Sequence, residues 1–178
     1  MNLTPTNIPG CFVMSPTRHE DDRGYFARLY DRDFALANQL DPDVSIVATT
    51  FNKLKGTLRG MHLQTAPFAE TKVVRVTRGS IFDVAVDLRK DSPTYLQWHG
   101  ELLSIENAKQ FYIPKGCAHG YLTLEDQTEL NYLLSAPYSP AHAAGYRFDD
   151  PAFAIDWPGE VRVIHPRDAG YALLTPPR

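Results

Sequence analysis

The segment "TKVVRVTRGSIFDVAVDL", residues 71–88, decides the fold class. Its first half is rich in β-branched residues and ends at Gly79, and its second half begins at once with another apolar run. Because β-branched residues favour strands and an interposed glycine marks a turn, the segment predicts two consecutive strands. In the second strand, alternation separates apolar from acidic side chains. One face takes Phe82, Val84, Val86 and Leu88, and the other takes Asp83 and Asp87.

More short strands are predicted further along the chain, in "QFYIPKG" (110–116) and "TELNYLLS" (128–135). The 14 prolines and 11 glycines punctuate many short segments, which is typical of a sandwich or barrel. One helix is predicted in "DRDFALANQLD", beginning near Asp31 or Asp33. Since no repeat or linker-like stretch interrupts the chain, we expect one all-β domain over residues 1–178.

Composition excludes several classes of protein. The chain has 178 residues, a net charge of −3 and no long run of Lys or Arg, so we expect no nucleic-acid partner. No apolar segment approaches the roughly 18 residues that span a bilayer, and the N-terminal sequence lacks the features of a secretory signal. Cys11 and Cys117 form no disulfide framework. We therefore expect a soluble cytoplasmic protein that does not enter a membrane.

Polar side chains on otherwise apolar strand faces indicate a pocket. Alternation places Lys72 on the face of Val74 and Val76, Tyr132 on that of Leu130 and Leu134, and His62 on that of Leu58 and Gln64. A single inward histidine or tyrosine is more simply explained as core, but a buried lysine is costly. The combination therefore predicts a cavity. Arg59 has the opposite parity to His62 and would need a strand end or bulge to reach it.

These residue types suit proton transfer next to a ketone. A histidine such as His62 is a base at neutral pH, and a carboxylate partner, which spacing alone cannot identify, would orient it. An inward lysine would stabilise an enolate oxygen, and an inward tyrosine would return a proton to the opposite face. Arginines such as Arg23 and Arg59 are suited to a diphosphate because they form bidentate hydrogen bonds.

A metal site is the competing interpretation. "PKGCAHG" has the P-x-G-x-x-H spacing of a cupin strand turn and places His119 near its end. A metal-binding cupin usually adds an H-x-H pair and a glutamate upstream, but here His62 is followed by Leu63 and Gln64, with Glu70 nearby. Two histidines and one carboxylate make a poor ligand set, so we expect no metal.

Seven segments, in order, resemble the deoxysugar epimerase family of cupins, typified by dTDP-4-dehydrorhamnose 3,5-epimerase. They are "DDRGYF" (21–26), "GTLRGMH" (56–62), "KVVRVTRGSIFDVAVDLRKDSPTY" (72–95), "IPKGCAHGY" (113–121), "ELNYLLSAPYSP" (129–140), "DDPAFAIDWP" (149–158) and "PRD" (166–168). The resemblance implies a cupin jelly-roll barrel with short peripheral helices, a homodimer, and no metal or organic cofactor. It also implies that the substrate is a nucleotide-linked 4-keto-6-deoxy sugar.

The resemblance also assigns roles to individual residues. His62 matches the base, Asp168 its paired carboxylate, Lys72 the lysine facing the keto oxygen, and Tyr132 the acid. Arg23 matches a diphosphate-binding arginine that reaches the site of the partner subunit. The remaining positions implied to contact substrate are Phe26, Arg59, Gln64, His119 and Tyr138.

Three places depart from the family pattern where sugar and nucleotide would be contacted. A Gln-Asp-Asn type segment is replaced by Val47, Ala48 and Thr49, a usual glutamate by Ala143, and a usual indole by Phe148. The nucleotide (dTDP, CDP or GDP) and the number of carbons inverted, C3, C5 or both, therefore stay open. The alternatives are a single-carbon epimerase or keto-isomerase, a metal-dependent cupin enzyme, and a non-catalytic sugar-binding cupin.

Overall fold

The computed structural model describes residues 1–174 of the chain. In chain order, the strands of this part are β1 (Asn2–Pro5), β2 (Phe12–Ser15), β3 (His19–Asp21), β4 (Gly24–Phe26), β5 (Ile46–Asn52), β6 (Thr57–Gln64), β7 (Lys72–Arg78), β8 (Ser80–Asp87), β9 (Trp98–Ser104), β10 (Gln110–Ile113), β11 (Cys117–Thr123), β12 (Thr128–Leu134), β13 (Ala143–Gly145) and β14 (Val163–Ile164). The helices are α1 (Arg32–Ala37) and α2 (Pro166–Ala169). Neither helix is long or apolar enough to cross a membrane.

Two large sheets pack face to face. The first has the strand order β1-β2-β10-β7-β12-β5, and the second has the order β13-β6-β11-β8-β9, with β14 added parallel to β6. Buried residues from both sheets, among them Val74, Ile81, Phe111 and Leu130, form one core between them. The predicted all-β jelly-roll barrel with short peripheral helices is confirmed. Helix α1 follows an N-cap at Asp31, whose side chain accepts from the backbone N–H of Phe34.

The two strands of the segment 71–88 lie in different sheets. Gly79, with a φ of +74°, carries the chain from β7 to β8 across the edge of the core. The alternation in β8 has an unexpected orientation, because the apolar side chains of Val84 and Val86 pack outward into a second apolar cluster. The acidic face, with Asp83 and Asp87, therefore points away from that cluster and is fully buried.

A β-bulge interrupts β6 at Gly60. Arg59 pairs with Tyr121 of β11 and His62 pairs with His119, so three steps along β6 match two along β11. Gly60 has a φ of +138°, and a Cβ atom there would lie 2.4 Å from the Cα of Gly120. The extra residue reverses the alternation. The alternation in the sequence predicts that Leu58 shares a face with His62, and this prediction is wrong because of the bulge. Arg59 shares the face of His62 instead.

Candidate active site

A cavity of about 340 Å³ lies between the two sheets. Both sheets contribute to its wall, because His62 and His119 come from the second sheet and Lys72 and Tyr132 from the first. Arg59 reaches the same cavity through the bulge. Five residues that the sequence selects are therefore brought together in one place.

His62 is held by a carboxylate from the far end of the chain. Its Nε2 lies 2.9 Å from Oδ1 of Asp168, in the short helix α2. The other oxygen of Asp168 accepts from the backbone N–H of Gly60 at 3.3 Å, and Oδ1 also accepts from Nε of Arg167 at 3.2 Å. Burial opposes ionisation of Asp168, but these hydrogen bonds outweigh it and hold its pKa below the usual range.

This arrangement selects one tautomer of the imidazole. An ionised carboxylate only accepts hydrogen bonds, so Nε2 of His62 carries the hydrogen and Nδ1 is left as the basic nitrogen. Burial lowers the pKa of His62 below its ordinary value of 6.5. Asp168 acts in the opposite direction, whereas the cations of Lys72 and Arg167 add to the decrease. The neutral ring, which can accept a proton, is therefore the resting form at neutral pH.

Lys72 is a buried cation with a carboxylate beside it. Its Nζ donates to the backbone carbonyl of His62 at 3.2 Å and lies 3.4 Å from Oε1 of Glu70. Burial lowers the pKa of Lys72, and Glu70 opposes that effect. The ammonium thus lies next to His62, where it could also donate to a negative oxygen.

Gln64 fixes the surroundings of Lys72. Its Nε2 donates to Oε2 of Glu70 at 3.1 Å, and its Oε1 accepts from the backbone N–H of Ser139 at 2.6 Å. Nε2 of Gln64 also donates to the backbone carbonyl of Pro137 at 3.1 Å. Contact between Gln64 and a substrate stays a prediction. The hydrogen bonds of this side chain hold Glu70 and the segment that carries Tyr138.

Tyr132 faces the histidines from the first sheet. Its ring lies 6.1 Å from that of His119, edge to face, and packs against the core. Burial raises the pKa of Tyr132 well above its usual value. The phenol consequently keeps its proton until a strongly basic atom is present in the cavity.

Asp83 supports the site from behind His119 and was not predicted from the sequence. Its Oδ1 lies 2.7 Å from Nε2 of His119, and both side chains are buried. Burial raises the pKa of Asp83, and His119 opposes that shift. The alternation in β8 does group Asp83 with Asp87 on one face. The structure shows that this face points inward, because Val84 and Val86 on the other face pack into the outer apolar cluster.

Residues around α2 were also missed. Nη2 of Arg167 lies 3.5 Å from Nε2 of His62. The ring centroid of Tyr171 lies 6.3 Å from the ring centroid of His62. Together with Tyr138 they line an adjoining cavity of about 230 Å³. Arg167 precedes Asp168 in the "PRD" segment, which is the signal that could have found it.

Two of the selected residues are absent from these cavities in the single chain. Arg23 and Phe26 belong to the β3–β4 hairpin, and the side chain of Arg23 is 90% exposed and paired with Asp21 at 2.6 Å. Their contact with substrate stays a prediction. Within residues 1–174, no three His, Cys, Asp or Glu side chains are grouped as metal ligands.

A jelly-roll barrel that encloses a polar cavity with ionisable side chains from both sheets defines a cupin-like enzyme. Comparison with known protein families identifies which family of cupin-like enzymes the chain belongs to. The chain belongs to the dTDP-4-dehydrorhamnose 3,5-epimerase family, a family of isomerases whose sequence model matches residues 5–175.

Individual relatives agree with this membership. A dTDP-4-dehydrorhamnose 3,5-epimerase from Sinorhizobium fredii is 42% identical over 146 residues, covering 82% of this chain and 75% of the relative. A dTDP-4-dehydrorhamnose 3-epimerase from Streptomyces niveus is 35% identical over 179 residues, covering 100% and 86%. The crystal structure of the Bacillus anthracis 3,5-epimerase with TDP and PPi bound superposes with a TM-score of 0.93 at 36% identity, covering 97% and 99%.

Proposed function

We propose that this protein inverts C3, C5 or both in a nucleotide-linked 4-keto-6-deoxy sugar during deoxysugar biosynthesis. One observation carries the proposal: His62 and Tyr132 project into a single cavity from opposite sheets. Inversion requires a proton to leave one face of a carbon and another to arrive on the opposite face. A base and an acid on facing walls meet that requirement.

In the proposed mechanism, Nδ1 of His62 takes the proton from the carbon next to the C4 ketone. The electron pair of the broken C–H bond forms the enolate, whose oxygen accepts a hydrogen bond from Nζ of Lys72. Asp168 stabilises the imidazolium that results. Tyr132 then donates its phenolic proton to the opposite face of the carbon, and solvent restores both side chains.

The nucleotide is proposed to be dTDP. Support comes from the relatives, since the Bacillus anthracis enzyme was crystallised with TDP. Arg59 offers the diphosphate its guanidinium, and His119, Tyr138 and Gln64 are the further proposed contacts in the same chain. CDP- and GDP-linked sugars are the alternatives.

We further propose a cytoplasmic homodimer whose sites contain both chains. Arg23 and Phe26 are exposed on the β3–β4 hairpin and line neither cavity of their own chain. An exposed arginine and an exposed aromatic ring on one hairpin are suited to a diphosphate and a base. In a dimer these two side chains would complete the partner's site.

Inversion at one carbon is the second candidate, because the Streptomyces niveus relative at 35% identity is named a 3-epimerase. The same proton transfers would produce inversion at one carbon or at two. The two activities would differ in whether one or both of the carbons next to the ketone reach Nδ1 of His62.

Deuterium wash-in tests both candidates. The protein is incubated in D2O with dTDP-4-keto-6-deoxyglucose, in parallel with the CDP and GDP counterparts, and NMR locates the exchanged carbons. Exchange at C3 and C5 supports double inversion, and exchange at one carbon supports the single epimerase. Each assay is repeated after exhaustive chelation, where we expect unchanged rates. Absence of exchange with every substrate, or loss on chelation with recovery on metal return, would overturn the proposal.

A further inference from the structure

A buried amide connects the two sheets beside the cavity. Asn52 is 2% exposed and is the last residue of β5, in the first sheet. Its Oδ1 accepts from Nε of Arg59 at 2.9 Å and from the hydroxyl of Tyr121 at 3.2 Å, both in the second sheet. Its Nδ2 donates to the backbone carbonyl of Thr128 at 3.3 Å. Asn52 is thus anchored to its own sheet while it holds an arginine of the other.

The contact uses only one of the donors of Arg59. In the part of the chain that the structure describes, Nη1 and Nη2 of Arg59 have no hydrogen-bond partner. The side chain lines both the 340 Å³ cavity and a neighbouring cavity of about 420 Å³ beside α2. A guanidinium held through Nε has a fixed plane, and its terminal nitrogens stay available for two oxygens of a phosphate.

We propose that Asn52 is a positioning residue that fixes the plane of Arg59 so that its terminal nitrogens bind the diphosphate of the substrate. The inference rests on the proposed function for the identity of the ligand. Pre-orientation matters because an arginine has many rotamers, and fixing them before binding removes an entropic cost from the binding step. The length of Asn52 is essential, since a shorter side chain at this position cannot span the two sheets.

The test compares isosteric variants. Asn52→Leu replaces both polar atoms by methyl groups of similar shape. Thr123→Val is the matched control, because Thr123 is also buried and joins β11 to the 54–57 turn through its hydroxyl, yet it lines none of the three cavities. Calorimetric titration with dTDP should show binding at least about tenfold weaker in Asn52→Leu, as expected for losing a hydrogen bond to a charged group, and unchanged in Thr123→Val.

A double-mutant cycle separates positioning from general stability. In an Arg59→Ala background, adding Asn52→Leu should change dTDP affinity no further, because the group it orients is already gone. In turnover assays, Asn52→Leu should raise KM with kcat near the wild-type value. If Asn52→Leu does not fold, as judged by thermal denaturation, Asn52→Ser replaces it, because serine is too short to reach Arg59.

Unchanged dTDP affinity in both Asn52 variants, or losses from Asn52 and Arg59 that simply add, would overturn the inference. Wild-type protein that binds none of dTDP, CDP and GDP would overturn it as well. Wild-type protein that binds dTDP but exchanges no sugar proton would instead refute the proposed function. The double-mutant cycle of Asn52 and Arg59 would still test the positioning role, because it is measured as dTDP affinity.

Discussion

His62 and His119 are direct cross-strand neighbours on β6 and β11, and each ring contacts a carboxylate through Nε2. The two pairs differ in their surroundings. His62 is 30% exposed and pairs with Asp168, whose pKa is lowered by its hydrogen bonds against the effect of burial. His119 is 6% exposed and pairs with Asp83, whose pKa is raised by burial. Asp168 is therefore the more readily ionised partner, and His62 is the histidine that we propose as the base.

Removing either member of the His62–Asp168 pair should stop proton exchange. We expect His62→Ala to abolish deuterium incorporation and Asp168→Asn to slow it by on the order of 10³–10⁴-fold, because the imidazole loses the anion that orients and supports it. Both variants should still bind dTDP, which serves as the control for folding. Exchange near the wild-type rate in either variant would contradict the assignment.

Lys72 should be required for every exchange event. In Lys72→Met the chain length is kept but the donor to the enolate oxygen is lost, and exchange should slow by about two to three powers of ten. The rate is measured as mass gain in D2O at saturating substrate. If the variant exchanges as fast as wild type, the enolate oxygen is stabilised by another group.

Tyr132→Phe should separate exchange from inversion. The ring still fills the cavity, but no acid faces His62. The imidazolium of His62 can exchange its new proton with D2O and then return a deuteron to the same face of the carbon. We expect deuterium to enter unepimerised substrate faster than inverted product forms. Mass spectrometry measures the exchange and proton coupling constants report the configuration. An equal loss of both would show that Tyr132 positions the substrate or fills the core.

The pH dependence should report the burial of His62 and the cations around it. The charged and titratable side chains that line the same three cavities are Arg59, Glu70, Lys72, His119, Tyr121, Tyr132, Tyr138, His165, Arg167, Asp168 and Tyr171. Because the pKa of His62 lies below 6.5, kcat/KM should stay high as pH falls through 6.5 and decline only when the imidazole is protonated.

Arg167→Gln removes a cation 3.5 Å from Nε2 and should raise the pKa of His62. The acid limb of kcat/KM then moves to higher pH, so the variant loses more activity at pH 6 than at pH 8. Arg147→Gln is the control, because Arg147 is paired with Asp149 at 2.6 Å outside these cavities. An acid limb that does not move in Arg167→Gln would show that Arg167 has no electrostatic effect on His62.

Assembly can be tested by complementation. Arg23→Ala and His62→Ala are each expected to be poorly active alone. A mixed dimer contains one site with neither defect if Arg23 serves the partner's site, so refolded mixtures should regain about a quarter of wild-type activity by random pairing. Light scattering at assay concentration checks the dimer. No recovery on mixing would place Arg23 in the site of its own chain or outside it.

Alternation of side chains was the most informative signal in the sequence. It predicted correctly that Lys72 shares a face with Val74 and Val76, because strands have a period of two wherever the ladder is regular. It failed across the bulge, where one extra residue moves every later side chain to the other face. Gly60 inside an apolar strand was the available warning.

Other site residues could not be derived from local pattern. His62 and Asp168 are separated by 106 positions, and the parallel pairing of β14 with β6 helps to bring α2 beside the cavity. The family motif identified Asp168, whereas spacing could not. Asp83 was missed for a different reason. Both faces of β8 are buried, so the alternation alone does not say which one faces the space between the two sheets.

The close contact between Gly60 and Gly120 has a consequence for how this scaffold can diversify. The wall formed by β6 and β11 tolerates no new side chain at that crossing, so this contact fixes the spacing of Arg59 and His62. The part of the opposite wall that β5 forms has no such restriction, because β5 is an edge strand that contributes only the small side chains of Ala48 and Thr50. New sugar preferences should therefore evolve, or be engineered, by enlarging these two positions while the chemistry stays in place.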